Sequence, residues 1–356
     1  MKKQKKTIVY LAALFVLIII TTNSAFAVSE ATCMFLMIEP GSRPGGMGHS
    51  YVSLADDAYA NWWNPGGLAF IKKSDIALMH SNWFGDVIDD MYYEYLGFAQ
   101  YFENLGTFGF NITYMTYGEL TATKPVVSPA GYEELMNFTS YEIAVGGSYG
   151  IEVMKDFGLG INVKGVISGL CPVIPQLDIN AKGEGLTVVF DVGLLKKNFI
   201  IPRLSFGLNL QNLGPDLRYR GSDIEQPMPL NFRAGFSYKI LDDEFNKMVI
   251  SADINKMLVN WDPLWKRWFT SLTDDTAKNE FESMIENIGV EYNYYNLISL
   301  RVGYVNDIAG EIQGVSFGGG INYEIAPGQK LSFDFALQPA GGLTTNNKTF
   351  SIGVEF

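Results

Sequence analysis

The feature that most constrains this chain is a strict alternation of apolar and small or polar residues, repeated from about Ser74 to the end. In the closing TFSIGVEF, Phe350, Ile352, Val354 and Phe356 share one face, while Ser351, Gly353 and Glu355 share the other. Leu331, Phe333, Phe335 and Leu337 oppose Ser332, Asp334, Ala336 and Gln338 in the same way. Leu204–Gln211 and Phe232–Lys239 repeat the pattern. A soluble sandwich or barrel with an apolar core is one way to use such strands. Two properties favour a membrane barrel instead. The polar face keeps Gly, Ser, Ala and Asn beside isolated charges, which suits a crowded lumen. The apolar face repeats bulky aromatics, as a lipid-facing wall with interfacial girdles does. In lipid only helices and closed barrels pair every backbone group, and beyond the N-terminus no apolar run approaches the length of a spanning helix. The expected fold is an all-β transmembrane antiparallel barrel.

About fourteen strands are expected, near 74–83, 91–102, 106–119, 139–153, 157–169, 185–196, 203–213, 229–241, 247–258, 286–295, 297–306, 314–325, 330–338 and 349–356. The connections check the count, because outer-membrane barrels alternate short periplasmic turns with longer external loops. Connections after even strands are tight, such as Glu103-Asn104-Leu105, Lys155-Asp156 and Asn296; Asn198–Pro202 and Asp242–Asn246 are moderately short. Those after odd strands run longer: Leu120–Phe138, Leu170–Glu184, Gly214–Met228 and Val259–Ile285. Within the last, Asp262 is placed to N-cap a helix with Pro263 at its first position. Leu264, Trp265, Trp268, Phe269 and Leu272 then recur at helical spacing, and a second short helix is expected over Thr276–Ile285. The first helix either packs over its own loops or presents Trp261, Trp265, Trp268 and Phe269 as a partner surface.

The N-terminus reads as a cleaved secretory signal: basic MKKQKK, the 13-residue apolar run Ile8–Ile20, and Ala25-Phe26-Ala27, with cleavage expected after Ala27. Lipidation of Cys33 is disfavoured, since Ser29-Glu30-Ala31-Thr32 is polar where a lipobox is apolar. Removing the signal takes away four lysines and no acid, leaving a chain more acidic than the precursor's −12. That balance excludes a nucleic-acid partner, because phosphate contacts dominate such affinity. Cys33 and Cys171 allow at most one disulfide, and His49 and His80 are the only imidazoles.

Catalytic motifs are weak. Gly146-Gly147-Ser148-Tyr149-Gly150 fits G-x-S-x-G but lies inside an alternating strand, whereas a nucleophile elbow needs a strand–turn–helix. The glycine-rich Gly41–Ser50 lacks the Gly-Lys-Ser/Thr of a phosphate loop. Asp274-Asp275 and Asp242-Asp243-Glu244 read as solvated loop acids. No catalytic residue, metal or cofactor is expected.

Between signal and first strand lies FLMIEPGSRPGGMGHSYVSLADDAYANWWNPGGLAF. It resembles the N-terminal signature of the PorV/PorQ family of outer-membrane proteins, a branch of the FadL-like barrels. Arg43, Gly46-Met47-Gly48, Asp56-Asp57-Ala58, Ala60 and Asn64-Pro65-Gly66-Gly67-Leu68 carry the likeness. Gly66 departs from the family's more usual alanine. A second block, LQNLGPDLRYRGSDIEQPMPLNFRAGFSY, resembles the family's Asn-Leu-Gly-Pro followed by Leu-Pro and a strand, with Met228-Pro229-Leu230 in the Leu-Pro place. The resemblance implies a fourteen-stranded barrel in the outer membrane with residues 28–73 as a luminal hatch. Asn64-Pro65-Gly66-Gly67 is expected to turn. In an extended segment Trp62 and Trp63 would face opposite sides, one inward and one against the wall. Asp56 and Asp57 are expected to pair with luminal Arg233 or Arg301. Met34, Phe35, Leu36, Met37 and Ile38 either line an apolar pocket or form hatch core. Two functions follow from the resemblance: type IX secretion, with exported cargo proteins or secretion machinery as partners, or passage of hydrophobic small molecules through a hatch-gated lumen to a lateral opening.

Overall fold

The computed structural model describes residues 31–127, 131–175, 183–274, 276–342 and 346–356. The expected signal and its cleavage after Ala27 lie outside the described residues. Strands are β1 (Asp75–Asn82), β2 (Tyr92–Phe102), β3 (Gly106–Pro125), β4 (Tyr132–Met154), β5 (Phe157–Cys171), β6 (Gly183–Lys196), β7 (Leu204–Leu213), β8 (Leu217–Arg218), β9 (Glu225–Gln226), β10 (Asn231–Asp242), β11 (Asn246–Met257), β12 (Ile285–Tyr294), β13 (Ile298–Asp307), β14 (Ile312–Ala326), β15 (Gln329–Pro339) and β16 (Asn346–Glu355). β8 and β9 make a two-stranded ribbon, and the other fourteen close into one antiparallel barrel. Each barrel strand pairs with its neighbours in chain order, and β1 closes the ring against β16 from Asp75↔Glu355 to Asn82↔Lys348. Ser74 and Phe356 extend that closure by exchanging backbone hydrogen bonds of 2.9 and 3.0 Å.

The alternation sorts side chains as the pattern requires. On β10, Arg233, Gly235 and Ser237 point to the lumen and are buried, while Phe236 on the other parity is exposed on the outer wall. Short turns stand at one end, with long loops at the other, so the turns, with Ser74 and Phe356 beside them, mark the periplasmic rim. One loop differs from expectation. The segment 120–138 is mostly hairpin, because β3 runs to Pro125 and β4 begins at Tyr132. Tilted strands need about 9–11 residues to cross a bilayer, so these strands of 20 and 23 residues project beyond it on the external side. Register shifts at Thr116/Glu119 and Ala122/Thr123 bend the projecting part.

Residues 31–74 fill the lumen, and the small residues of the inner face give them room. A β-carbon added at Gly160 would collide with Pro65 O, one at Gly207 with Val52 O, one at Gly289 with Met47 O and one at Gly303 with Gly48 N. The wall glycines are thus seats against which another backbone rests. By contrast Gly147, on the outer parity of β4, has nothing within 4 Å of such a carbon.

This contrast predicts a mutational asymmetry. Gly160→Val overpacks the seat and should cost about 1–3 kcal/mol, read as an earlier loss of the folded band in heat-modifiability electrophoresis. Gly147→Ala should leave that transition unchanged. Equal effects would contradict the seating.

Candidate functional site

The luminal segment has no long periodic run, and its glycines and prolines break it into single turns. They are 3-10 turns at Met34–Met37 and Pro65–Phe70 and α-turns at Ser42–Gly46 and Ala60–Trp63. So short a helix leaves many backbone groups unpaired, and buried ones need partners. The wall supplies them. The Asp253 carboxylate accepts from Tyr51 N (2.7 Å) and Val52 N (2.8 Å). Asn209 donates to Trp63 O (2.9 Å), Gln211 to Trp62 O (2.9 Å) and Asn287 to Gly48 O (2.5 Å).

Asn64-Pro65-Gly66-Gly67 is the most constrained point. Asn64 Oδ1 accepts from Gly66 N (3.0 Å), capping the 3-10 turn that Pro65 begins, while its amide donates to Val52 O and to Leu194 O on β6. Any β-carbon at Gly66 would strike the β6 backbone at Leu194 and Leu195, and one at Gly67 would strike Ala55 O. Gly66, the departure from the family pattern, is therefore required by this wall. Gly46 rests on Gly318, Gly48 (φ +61) on Tyr304 and Ile288, and Met47 between them is wholly buried.

Trp62 and Trp63 depart from expectation. Because 60–63 is a helical turn, they do not alternate sides; both are buried, ring centroids 4.9 Å apart and edge to face. Trp63 Nε1 donates to Pro40 O (2.8 Å). The Arg233 guanidinium lies 4.7 Å from the Trp63 ring and 5.8 Å from Trp62. Phe35 and Leu36 join these rings in the apolar core, while Met34 is exposed.

The ion pairs also differ from expectation. Asp56 and Asp57 do not reach Arg233 or Arg301. They pair with Arg43 of their own segment at 2.7 and 3.2 Å, because the chain folds back on itself at Gly45–Gly48. Arg233 is taken by Glu39, which also holds His49 Nδ1 at 2.7 Å. Arg301 is taken by Glu291 (2.7 Å) and Asp334 (2.5 Å). Glu291 accepts from Arg43 as well (2.9 and 3.0 Å), so it bridges wall and luminal segment. Arg43, Asp56, Asp57, Glu291, Arg301 and Asp334 line a polar cavity of about 300 Å³ at the periplasmic side, shared with Asp75, Lys247, Lys330 and Glu355; the Glu39, His49 and Arg233 cluster lies outside it.

Burial lifts the carboxyls of the luminal segment, and neighbouring cations decide the outcome. At Glu39 the opposing pull of His49 and Arg233 wins and holds the group down to about 2. Asp56 is likewise lowered against its burial by Arg43. Asp57 stays raised, burial being joined by the charge of Asp56 against Arg43.

Sequence reasoning gathered Arg43, the Asp pair and the Trp pair but missed Glu39, His49, Asp253 and Glu291. A lone acid in an apolar stretch, as Glu39 is in MIEP, was the available signal. Ser148 lies mid-strand in β4, its hydroxyl donating to Asn162 (3.0 Å), and His80 binds Glu94 (2.7 Å) on the outer wall. Cys33 and Cys171 are free thiols. The loop after β11 carries helices at Leu264–Thr270 and Ala277–Glu282. Pro263 takes the cap position there, so Asp262 binds Lys266 (3.0 Å) instead. Thr276 caps the second helix through Asn279 N, and the chain enters β12 at Ile285.

Barrel, luminal segment and polarity together define a class: an outer-membrane β-barrel filled by its own N-terminal segment. The family model described as type IX secretion system protein PorV matches residues 21–264, and the chain belongs to the PorV family. Among solved structures it is similar to the Pseudomonas putida toluene transporter TodX, with TM-score 0.55 and 12% identity over 89% of this chain and 98% of that one. A TodX deltaS2 mutant gives TM-score 0.52 at 12% identity, covering 89% of this chain and 97% of that one. The Ralstonia pickettii toluene transporter TbuX gives 0.49 at 12%, covering 88% and 97%. At such identities the two TodX likenesses show the fold alone. No curated protein matches the chain.

Two outcomes follow. Arg43→Met strands Asp56 and Asp57 and should destabilise the barrel toward the lower end of the roughly 3–5 kcal/mol that breaking a buried pair costs, since Arg43 keeps some solvent contact; denaturant titration in detergent reads this. Because the Glu39 carboxyl is depressed, its contribution is complete above about pH 4.5 and fades as pH falls toward about 2. The stability gap between wild type and Glu39→Gln should therefore close across that window, and a pH-independent gap would contradict the ion-pair role.

Proposed function

We propose that this barrel serves type IX secretion, binding exported cargo proteins at the outer membrane and passing them on at the cell surface. The observation that supports this reading is the PorV family match taken with the filled lumen. A segment whose backbone is bonded to Asp253, Asn209, Gln211 and Asn287 leaves no bore for a protein. Cargo then engages the external rim, where β3 and β4 project and the long loops gather.

A second reading has its own support. β7 pairs with β6 only from Lys196 to Phe190, so Gly183–Val189 of β6 has no barrel strand on that side. Behind it lies an apolar cluster that includes Cys33, Leu36, Val166, Val189 and Leu217. Loop residues rather than a barrel strand cover that edge, Arg220 N donating to Glu184 O (2.8 Å) and Leu217 resting on Gly185, an arrangement that suits lateral passage of hydrophobic small molecules once the loop moves aside.

Gentle detergent extraction of the tagged protein from its own outer membrane, followed by mass spectrometry, separates the two. Co-purifying secreted proteins that share a C-terminal sorting domain are expected. Apolar small molecules without protein partners would overturn the secretion role in favour of transport.

A further inference from the structure

The loop between β11 and β12 has its polarity inside out. In the helix Leu264–Thr270 the cation Arg267 is 2% exposed, while Trp265 is 76%, Phe269 63% and Trp268 42% exposed, and Trp261 just before it is 62%. A helix resting on a water-washed surface turns its apolar stripe inward and its charges out. Here the inward anchor is a bidentate ion pair: Arg267 Nη1 and Nη2 meet Asp216 Oδ1 and Oδ2 at 2.8 and 3.0 Å, and its Nε donates to Asp262 O (3.0 Å). With the guanidinium satisfied below, the aromatic rings are left to the outside.

The second helix shows where that outside is. Strand parity puts Arg233 and Asn255 in the lumen, so their neighbours Phe232 and Lys256, paired across β10 and β11, face away from it. Lys256 is nonetheless buried, because Glu280 of the helix Ala277–Glu282 covers it with an ion pair. That helix therefore lies against the outer face of the barrel, above the lipid-facing Ile254 and Phe236. Beside it the same outward rows turn polar, with Asn306 donating to Glu286 (3.0 Å) and Gln313 to Asn306 (2.6 Å). Outward polar residues directly above outward apolar ones mark the headgroup level of the wall.

We propose that the loop Leu258–Met284 is an interfacial foot: its helices fold over the external rim at β10–β11, and Trp261, Trp265, Trp268 and Phe269 enter the outer leaflet of the outer membrane. The occupant is lipid because the second helix of the same loop sits on the outer face directly above the lipid-facing Ile254 and Phe236, and because Trp and Phe beside a cation, here Lys266, favour the boundary of headgroup and acyl chain. The foot pins one side of the external rim to the bilayer, leaving the β3–β4 hairpin on another part of the rim free in solvent.

The test uses the full barrel in nanodiscs of phosphatidylethanolamine with and without bromine on the acyl chains near the headgroup. Emission of the triple variant Trp261→Phe, Trp265→Phe, Trp268→Phe, which keeps the foot apolar, is subtracted from wild type to isolate the three rings. Heat-modifiability confirms that both are folded. Brominated lipid should quench the difference emission by at least about twofold, while aqueous iodide leaves it nearly unchanged. Quenching by iodide and not by bromolipid would overturn the foot and leave the aromatics as a water-facing surface for a protein partner. A second variant, Trp265→Cys carrying a polarity-sensitive probe in a Cys33→Ser, Cys171→Ser background, gives the same readout independently. Its emission should shift to the blue on reconstitution, and a water-like emission would contradict the proposal.

Discussion

Closure of the sheet is the constraint on which the rest depends. Once β1 meets β16 and Ser74 meets Phe356, every strand in the ring has two neighbours, although β6 meets β7 over only half its length, and the outside can be lipid. The inside is then a problem of its own. Fourteen strands enclose more space than their side chains fill, and an empty lumen would be wet and open. The chain solves this with its own N-terminal residues, and the wall is shaped to receive them. Glycines at 160, 207, 289 and 303 let backbone lie on backbone, and Asp253, Asn209, Gln211 and Asn287 pair the groups that single-turn helices leave unpaired.

The electrostatics follow from the same geometry. Two guanidiniums organise the interior, Arg43 from the luminal segment and Arg233 from the wall, and each crosses to the other body: Arg43 to Glu291 of β12, Arg233 to Glu39. Neither body is electrically complete alone. That reciprocity, together with the burial of Trp62 and Trp63, makes barrel and segment one folded unit. Under the proposed secretion role, partners meet such a protein at its surfaces.

How much of this was legible depended on range. The outer wall was readable, because period-two alternation such as Phe350, Ile352, Val354 is a local consequence of strand geometry. Turns such as Lys155-Asp156 were readable for the same reason. The hairpin 120–138 was not, because β3 and β4 leave the membrane there and no longer alternate in hydrophobicity. Inside the lumen, Asn64-Pro65 announced a turn, yet the partners of Asp56 and Asp57 could not be read. Arg233 and Arg301 were the candidates, and the actual partner, Arg43, follows only from the fold-back at Gly45–Gly48. Trp62 and Trp63 misled for a related reason: four residues of helix, Ala60–Trp63, are too short to show a period.

Residues 31–74 are bonded to the wall throughout, and we propose that the protein does its work with them in place. Ser50 and Ser251 face each other across the boundary with their hydroxyl oxygens 2.6 Å apart, so cysteines there can lock segment to wall. Under the proposed secretion role, the measurement is surface delivery of cargo by cells carrying Ser50→Cys, Ser251→Cys in a background where Cys33 and Cys171 are serine. Delivery at the level of the unlocked background is the expected result. Loss of delivery that a reductant restores would contradict the account and make the luminal segment a moving gate.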